Sequence, residues 1–308
     1  MADELIIDAH VHTYPTAEIG RQAMAGFGQS GSSGTVPEIL AVMTRGKISY
    51  SVMANMTPTY DMKMAFLKNL PADGPAEKKE KTEQEIHAKV IDRLKRRNLW
   101  SCNIAKENPS LVPLISVDIF QTPAEMEAEI KDKVGHGAKG LKFHPVANRF
   151  SADDRRMWPA YSTALETGLP VLFHSGELEM VDQAARDYGR PRSFETILQS
   201  FPTLTVILAH MARGFLEESS ALAKKYGNLY FDISAIISSY EKKGGFSSEE
   251  HAAKLIREIG ADRVLFGSDW PWYDPVLAME RFNRLDLTAE EKRKILGLNA
   301  ARIFGLKQ

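Results

Sequence analysis

The sequence lacks three features that would assign it to specialised classes of protein: paired cysteines, long hydrophobic runs and an excess of charge of one sign. Cys102 is the single cysteine, so no intramolecular disulfide can form. The apolar runs are far shorter than the roughly 20 residues that span a bilayer, and the first residues lack the basic flank and long apolar core of a signal peptide. We therefore expect a cytoplasmic protein without a membrane partner.

The charged side chains nearly cancel, with 39 basic and 40 acidic residues. Nucleic-acid and membrane-surface binding both need a concentrated positive field, so this balance argues against either partner. The chain has 308 residues, of which 44% are hydrophobic. That length and composition predict one large core, and we expect residues 1–308 to form a single domain.

Eight short segments rich in branched apolar residues recur along the chain, and most are continuous apolar runs rather than alternating ones. Continuous runs are typical of parallel strands that are covered on both faces. Helix-like stretches separate the segments, so the pattern predicts an α/β fold, a (β/α)8 TIM barrel with an outer ring of helices. The predicted strands are residues 5–12, 48–56, 111–118, 140–145, 170–176, 205–210, 229–234 and 263–270.

Two connections are too long to be simple turns, residues 13–37 after the first predicted strand and residues 57–109 after the second. The first is rich in glycine and serine, which predicts a mobile flap. The second carries a charge run over residues 77–85, interpreted as a solvated helix face, and then a helix over residues 86–97. Loops that follow barrel strands build the active site, so we predict that both insertions are substrate lids.

Five of the eight histidines and one aspartate stand at the carboxyl ends of the predicted strands. Residues two apart in an extended chain point to the same side, so the first two histidines can hold one ion together. Uncompensated polar groups crowded into a barrel mouth would be costly to bury, and a metal supplies their common partner. These residues are His10, His12, His144, His174, His210 and Asp269.

Imidazole and carboxylate donors without thiolates favour a catalytic ion with an open position for water. The expected cofactor is a divalent metal, in first place Zn²⁺, with Mn²⁺ or Fe²⁺ as alternatives. We expect one ion rather than two.

In their order and spacing, these strand ends resemble the amidohydrolase superfamily, and within it the amidohydrolase-2 branch of TIM-barrel metal-dependent hydrolases and decarboxylases. The resemblance covers essentially the whole chain and is carried by residues 8–12, 140–145, 173–176, 208–210, 266–271 and 299–305. It implies that His10, His12, His174 and Asp269 bind one metal ion. It also implies that Asp269 accepts a proton from the attacking water, and that His210 contacts the reacting oxygen of the substrate or binds a second metal.

Three further residues are left with two interpretations each. In related enzymes a lysine in the setting of Lys142 carries a carbamate that bridges two metals; the alternative is an unmodified lysine that pairs with a carboxylate or contacts substrate. His144 either orients the substrate or makes a hydrogen bond that supports the residues of the site. Arg213 either binds a substrate carboxylate or is a solvated helix residue.

The preferred function is hydrolysis of a small organic ester, lactone or amide by a metal-activated water. The alternative within the same branch is non-oxidative decarboxylation of an aromatic or enol carboxylic acid. The segment around Lys142 favours hydrolysis, because the decarboxylases that it resembles usually lack that lysine. A barrel that has lost catalysis and only binds ligands would be expected to lack metal residues, and here all are present. The expected partners are a small-molecule substrate and, in a homodimer, a second copy of the chain.

Overall fold

The computed structural model describes residues 4–24, 31–68, 76–177, 183–239 and 244–307. Within those residues, eight parallel strands follow one another around one sheet in chain order. Each lies inside one of the eight segments predicted as strands, so the predicted (β/α)8 barrel is confirmed. The strands are β1 (Ile7–Val11), β2 (Tyr50–Met53), β3 (Leu111–Ile115), β4 (Gly140–Phe143), β5 (Val171–Phe173), β6 (Val206–Leu208), β7 (Leu229–Asp232) and β8 (Val264–Leu265).

The barrel closes where the chain segment that begins with β8 returns to β1. The backbone N–H of Ala9 donates to the carbonyl of Phe266 over 2.9 Å, and that of Asp269 donates to the carbonyl of His10, also over 2.9 Å. An isolated parallel bridge joins Val11 to Trp270 further along. These contacts place the predicted ligands of the first and eighth strands side by side.

Helices cover the outside of the barrel, and several begin at a sequence signal. Thr35 and Glu38, like Thr122 and Glu125, form capping boxes in which each side chain bonds the other's backbone N–H. The described helices are α1 (Ala17–Ala23), α2 (Val36–Gly46), α3 (Thr59–Lys68), α4 (Ala76–Glu107), α5 (Pro123–Gly135), α6 (Pro145–Asn148), α7 (Trp158–Glu166), α8 (Gln183–Asp187), α9 (Glu195–Ser200), α10 (Leu216–Lys225), α11 (Glu249–Ile259), α12 (Pro275–Asn283), α13 (Ala289–Arg293) and α14 (Asn299–Phe304).

Buried apolar side chains fall into two groups. The larger group joins strand residues such as Phe143 and Phe173 to the surrounding helices. The smaller group includes Ile7 and Ala9 of β1 together with Phe304 of α14, so the last helix packs against the strands. None of the described helices combines the length and the apolar composition needed to cross a membrane.

Helices form much of the two long connections. Residues 13–37 contain α1 and the start of α2, while part of the predicted flap, residues 25–30, lies outside the described residues. In the second connection, the charge run and the predicted helix over 86–97 belong to one helix, α4. Val90, Leu94 and Cys102 of α4 are buried in the core. This helix is therefore part of the barrel wall rather than a lid, because its apolar face packs against the core.

Candidate metal centre

The histidine pair of β1 meets Asp269 at the mouth of the barrel. His10 and His12 are 1% and 8% exposed, and their Nε2 atoms lie 3.2 Å apart. Oδ1 of Asp269 lies 3.3 Å from Nε2 of His12 and 3.7 Å from Nε2 of His10. The structure thus brings His10 and His12 together on one side of β1, as the alternation of side chains along a strand predicts.

These distances fit donor atoms that share one ion. Ligand atoms bonded to zinc at about 2.1 Å and at the tetrahedral angle lie about 3.4 Å from one another. The three donor atoms of His10, His12 and Asp269 are within 4.8 Å of each other, as a common ion requires. The donor set of two imidazoles and one carboxylate suits zinc, manganese or iron.

The protonation of the three side chains also fits a metal. Burial and the nearby charge of Lys142 lower the pKa of His10 to about 3, and burial lowers the pKa of His12. Burial alone would raise the pKa of Asp269, but the hydrogen bond with His12 and the surrounding histidines hold that pKa well below its usual value. All three groups therefore carry free lone pairs at neutral pH, which metal binding requires.

The backbone that carries Asp269 is held in an unusual conformation. Its own φ is +66°, a conformation that residues other than glycine seldom adopt. One residue earlier, Ser268 donates from its backbone N–H (2.9 Å) and from its hydroxyl (2.5 Å) to the carboxylate of Asp8. Burial raises the pKa of Asp8 to about 7, although these hydrogen bonds oppose the rise. Asp8 thus joins β1 to the segment that presents Asp269.

His174, predicted as a fourth ligand, lies beside this group rather than within it. Its ring stacks on His144 with centroids 3.8 Å apart, and its centroid is 5.0 Å from that of His210. Nε2 of His174 is buried and has no hydrogen-bond partner in the described part of the chain. A buried polar atom without a partner is unusual, and it is the atom through which His174 would reach an ion.

His144 also has a defined hydrogen bond. It precedes α6, and its Nδ1 accepts the backbone N–H of Ala147 over 3.1 Å. Burial, with Lys142 and the other histidines, holds the pKa of His144 well below its usual value. The neutral ring therefore carries its single proton on Nε2, because Nδ1 is the acceptor.

Lys142 reaches the centre of the site from β4. It is 1% exposed, and its Nζ lies 3.2 Å from Nε2 of His10. Burial lowers the pKa of Lys142 to about 8, and the charges of Asp232 and Asp269 oppose that change. The structure thus brings the lysine to the predicted ligands, as either of its two interpretations requires.

Arg213, predicted as a contact of the substrate, lies against the loop that follows β5. Nη2 of Arg213 is 3.4 Å from the backbone carbonyl of Glu177, in the loop after β5. An arginine that the sequence reasoning missed, Arg97 of α4, donates to the carbonyl of Thr13, next to His12. Its guanidinium also lies over the rings of Tyr14 and Trp100, at 5.5 and 4.5 Å. No local motif marks Arg97, since it reaches Thr13 across 84 residues of sequence.

Asp232, the last residue of β7, was also missed. Its carboxylate contacts Nδ1 of His10 over 2.9 Å and accepts the backbone N–H of His210 over 2.9 Å. The available signal was a carboxylate that ends an apolar strand, the same signal that identified Asp269.

Comparisons with known proteins identify the family of the chain. The family model described as amidohydrolase, of the amidohydrolase-2 type, matches residues 7–306. The chain is 25% identical over 205 residues to a gamma-resorcylate decarboxylase from a Polaromonas strain, an alignment that covers 53% of this chain and 62% of that protein. The chain thus spans less than two thirds of that relative's length.

Two solved structures extend the likeness in fold to nearly the full chain. A dihydroxybenzoic acid decarboxylase from Polaromonas, with bound manganese and the inhibitor 2-nitroresorcinol, has a TM-score of 0.69 at 16% identity and covers 99% of this chain and 98% of its own. A probable 2-pyrone-4,6-dicarboxylic acid hydrolase from Acinetobacter baumannii has a TM-score of 0.62 at 15% identity, covering 98% and 99%. With the family match over residues 7–306, these findings show that the chain belongs to the metal-dependent amidohydrolase-2 family.

Proposed function

We propose that the protein is a metal-dependent decarboxylase that removes carbon dioxide, without an oxidant, from a hydroxylated aromatic carboxylic acid. The observation that carries this proposal is the sequence similarity to a gamma-resorcylate decarboxylase, over 205 residues. Hydrolysis was the first choice from sequence alone, and decarboxylation was its alternative. The relatives named above favour the alternative.

His10, His12 and Asp269 are the residues that would hold the divalent ion. Their donor atoms are already close together, and the unpartnered Nε2 of His174 is the nearby candidate for a fourth donor. A bound divalent ion supplies the positive charge that holds a carboxylate and a neighbouring hydroxyl oxygen. One ion is proposed, Mn²⁺ or Zn²⁺, since these three donors form one compact group.

His144 would bind the substrate as a hydrogen-bond donor. Its Nδ1 is occupied by the N–H of Ala147, so Nε2–H is the group it can offer to a substrate oxygen. Stacking on His174 fixes the plane of the ring beside the proposed ligands. A neutral donor in this position orients an anion without adding a charge to be buried.

His210 would supply the proton that the reaction consumes. When the bond between the ring carbon and the carboxyl group breaks, its electron pair stays on the carbon, which then takes up one proton as carbon dioxide leaves. Nδ1 of His210 lies 2.8 Å from the hydroxyl oxygen of Ser234, which donates its own hydrogen to Asp232, and 3.2 Å from the carbonyl oxygen of Ser234. Both oxygens are acceptors for His210, so its Nδ1 carries a proton. Nε2 is then the nitrogen that can carry a proton and deliver it.

Hydrolysis of a lactone or ester is the second candidate, favoured by the state of Asp269. That carboxylate is held ionised next to the metal donors, as a base that activates water must be. The two reactions differ in what leaves the substrate, so they can be separated by product.

The test is to assay the purified, metal-loaded protein with a panel of hydroxybenzoates and a panel of lactones. The proposal predicts release of carbon dioxide and the corresponding phenol from at least one hydroxybenzoate, and no acid release from lactones. Acid release from a lactone without carbon dioxide from any hydroxybenzoate would replace the proposal with hydrolysis. A preparation that binds no divalent ion after dialysis against Mn²⁺ or Zn²⁺ would contradict both.

A further inference from the structure

Asp232 is a completely buried carboxylate that contacts two of the histidines in the site. Its exposed fraction is 0%, and its two oxygens have different partners. Oδ2 lies 2.9 Å from Nδ1 of His10, and Oδ1 accepts the backbone N–H of His210 over 2.9 Å. One side chain at the end of β7 therefore joins β1 to the turn that follows β6.

The hydrogen bonds of Asp232 argue against a role as a metal ligand. His10, His210 and Asp232 do offer three donor atoms within 4.8 Å of one another. Oδ1, however, accepts three hydrogens, from the N–H of His210, the N–H of Ser234 over 3.0 Å and the hydroxyl of Ser234. An ion at Oδ1 would have to displace these bonds, and an ion at Oδ2 would have to displace the bond to Nδ1 of His10. Asp269, in contrast, has an oxygen that faces the other ligands.

The bond to His10 decides which nitrogen of that ring can bind a metal. A carboxylate accepts, so Nδ1 of His10 carries the proton and Nε2 keeps its lone pair. That Nε2 is the atom 3.2 Å from Nε2 of His12. Carboxylates that accept from the outer nitrogen of a metal-binding histidine commonly orient the ring and fix its tautomer.

The bond to His210 helps to fix a backbone conformation that residues other than glycine rarely adopt. His210, Met211 and Ala212 have φ values of +58°, +46° and +51°, three consecutive residues in the left-handed region. Such conformations persist only where the surroundings enforce them. Asp232 fixes the first N–H of this turn, and the hydroxyl of Ser234, which donates to Asp232, lies 2.8 Å from Nδ1 of His210.

We propose that Asp232 is the positioning residue of this site: through one oxygen it fixes the tautomer of His10 for metal binding, and through the other it holds the turn that presents His210. The inference rests on the proposed metal site for its consequence, but both contacts exist in the protein without metal. No motif in the sequence points to this role.

Two variants separate the two contacts. Asp232→Asn keeps the shape of the side chain, and its amide oxygen can still face the three donors on the side of His210. Its NH2 group then faces His10, which must accept at Nδ1 and move its proton to Nε2. Asp232→Ala removes both contacts. The matched control is Asp118→Asn, because Asp118 is also a buried carboxylate after a strand but bonds Thr59 over 2.6 Å instead.

Metal affinity tests the contact with His10. We expect Asp232→Asn to bind Mn²⁺ or Zn²⁺ about 10- to 100-fold more weakly than the parent protein, the usual effect of losing such a partner. Asp118→Asn should stay within about threefold of the parent. An affinity for Asp232→Asn as high as that of the control would overturn the role at His10.

Two measurements on the metal-free protein keep the inference independent of the proposed function. Histidine ring ¹H–¹⁵N spectra, assigned with His10→Gln, should show the Nδ1–H tautomer of His10 in the parent and its loss in Asp232→Asn. Backbone hydrogen exchange at His210 should stay slow in Asp232→Asn and become fast in Asp232→Ala. If the parent bound no metal, the proposed function would fail while the spectra still decided the inference; an unchanged His10 tautomer or slow exchange in Asp232→Ala would refute it.

Discussion

Glu38 offers a direct test of how the loop beside the histidine pair is held. Its carboxylate accepts from the backbone N–H of Ser33 (3.1 Å), the backbone N–H of Thr35 (2.8 Å) and the hydroxyls of both residues (2.8 and 2.7 Å). Between these two residues, the carbonyl of Gly34 accepts the N–H of Tyr14 over 2.7 Å. Tyr14 follows His12 by two residues, so Glu38 anchors the chain that packs beside the metal donors.

The size of the effect follows from the pKa of Glu38. Burial opposes ionisation, but the four hydrogen bonds outweigh it and lower the pKa from 4.5 to about 2. At about 1.36 kcal/mol per pKa unit, that difference corresponds to at most about 3.4 kcal/mol. Because the side chain is only partly buried, screening by water reduces the expected contribution to about 1–2 kcal/mol. A lowered pKa in the folded state gives stability that is complete above pH 4.5 and is lost as the pH falls toward 2.

The assay is urea unfolding of the parent and Glu38→Gln at pH 7 and pH 3, with chelator present throughout so that metal does not contribute. We expect a loss of about 1–2 kcal/mol at pH 7 that becomes much smaller at pH 3. Glu125→Gln is the matched control, since Glu125 caps α5 with Thr122 alone, through its N–H and hydroxyl, and should lose less. An equal loss from Glu38→Gln at both pH values would refute the reasoning, because the charge would then not carry the effect.

Three further perturbations address the site directly. His12→Ala should lose both bound metal and turnover. His136→Ala should keep both, because the side chain of His136 is 48% exposed on the outer surface. Turnover in His12→Ala would show that the β1 pair is misassigned. Divalent metal at about 100 times its Kd should stabilise the protein by about 2.7 kcal/mol, seen as a higher melting temperature than in chelator, and equal temperatures would exclude a site in the folded state. Gly176→Ala should destabilise the protein more than Gly137→Ala. Both glycines have a positive φ, +95° and +94°, so the cost of the backbone conformation is similar. An added Cβ at 176 would lie 2.6 Å from the backbone nitrogen of Arg213, whereas one at 137 would meet nothing within 4 Å. Similar urea midpoints for the two variants would contradict the close contact.

The sequence predicted those features that depend on local periodicity. Runs rich in branched apolar residues located all eight strands, because strands covered on both faces carry mostly apolar side chains. Exceptions such as Asp8 and Lys142 lie at or near the site. Spacing by two placed His10 and His12 together, since alternate residues of a strand share a side. The limits of α4 were missed because its first ten residues, 76–85, include no large apolar residue, so that only the later part of the helix shows the apolar pattern of a packed helix.

Features that depend on contacts between distant segments could not be predicted in this way. The bond between Asp232 and His10 spans 222 residues, and no local pattern encodes it. The left-handed turn over residues 210–212 contains no glycine to signal positive φ. The hydrogen bond that holds its first N–H comes from Asp232, 22 residues further along the chain. For the same reason the sequence placed His174 among the ligands without showing that its ring would stack on His144.

The charges around His10 bear on the choice between the two reactions. Three charged side chains lie near its ring nitrogens: Asp232 and Asp269, which carry one negative charge each, and Lys142, which at a pKa of about 8 is mostly protonated at neutral pH. Before His210 takes up the proton that it would deliver, their sum is one negative charge, which a divalent ion would turn into one positive charge. A buried uncompensated charge is costly, so the loaded site favours a ligand with a single carboxylate over a neutral ester or amide. Loss of carbon dioxide then leaves a neutral product, which the same charge no longer holds. The electrostatics therefore support substrate binding and product release in a decarboxylase more directly than in a hydrolase of neutral substrates.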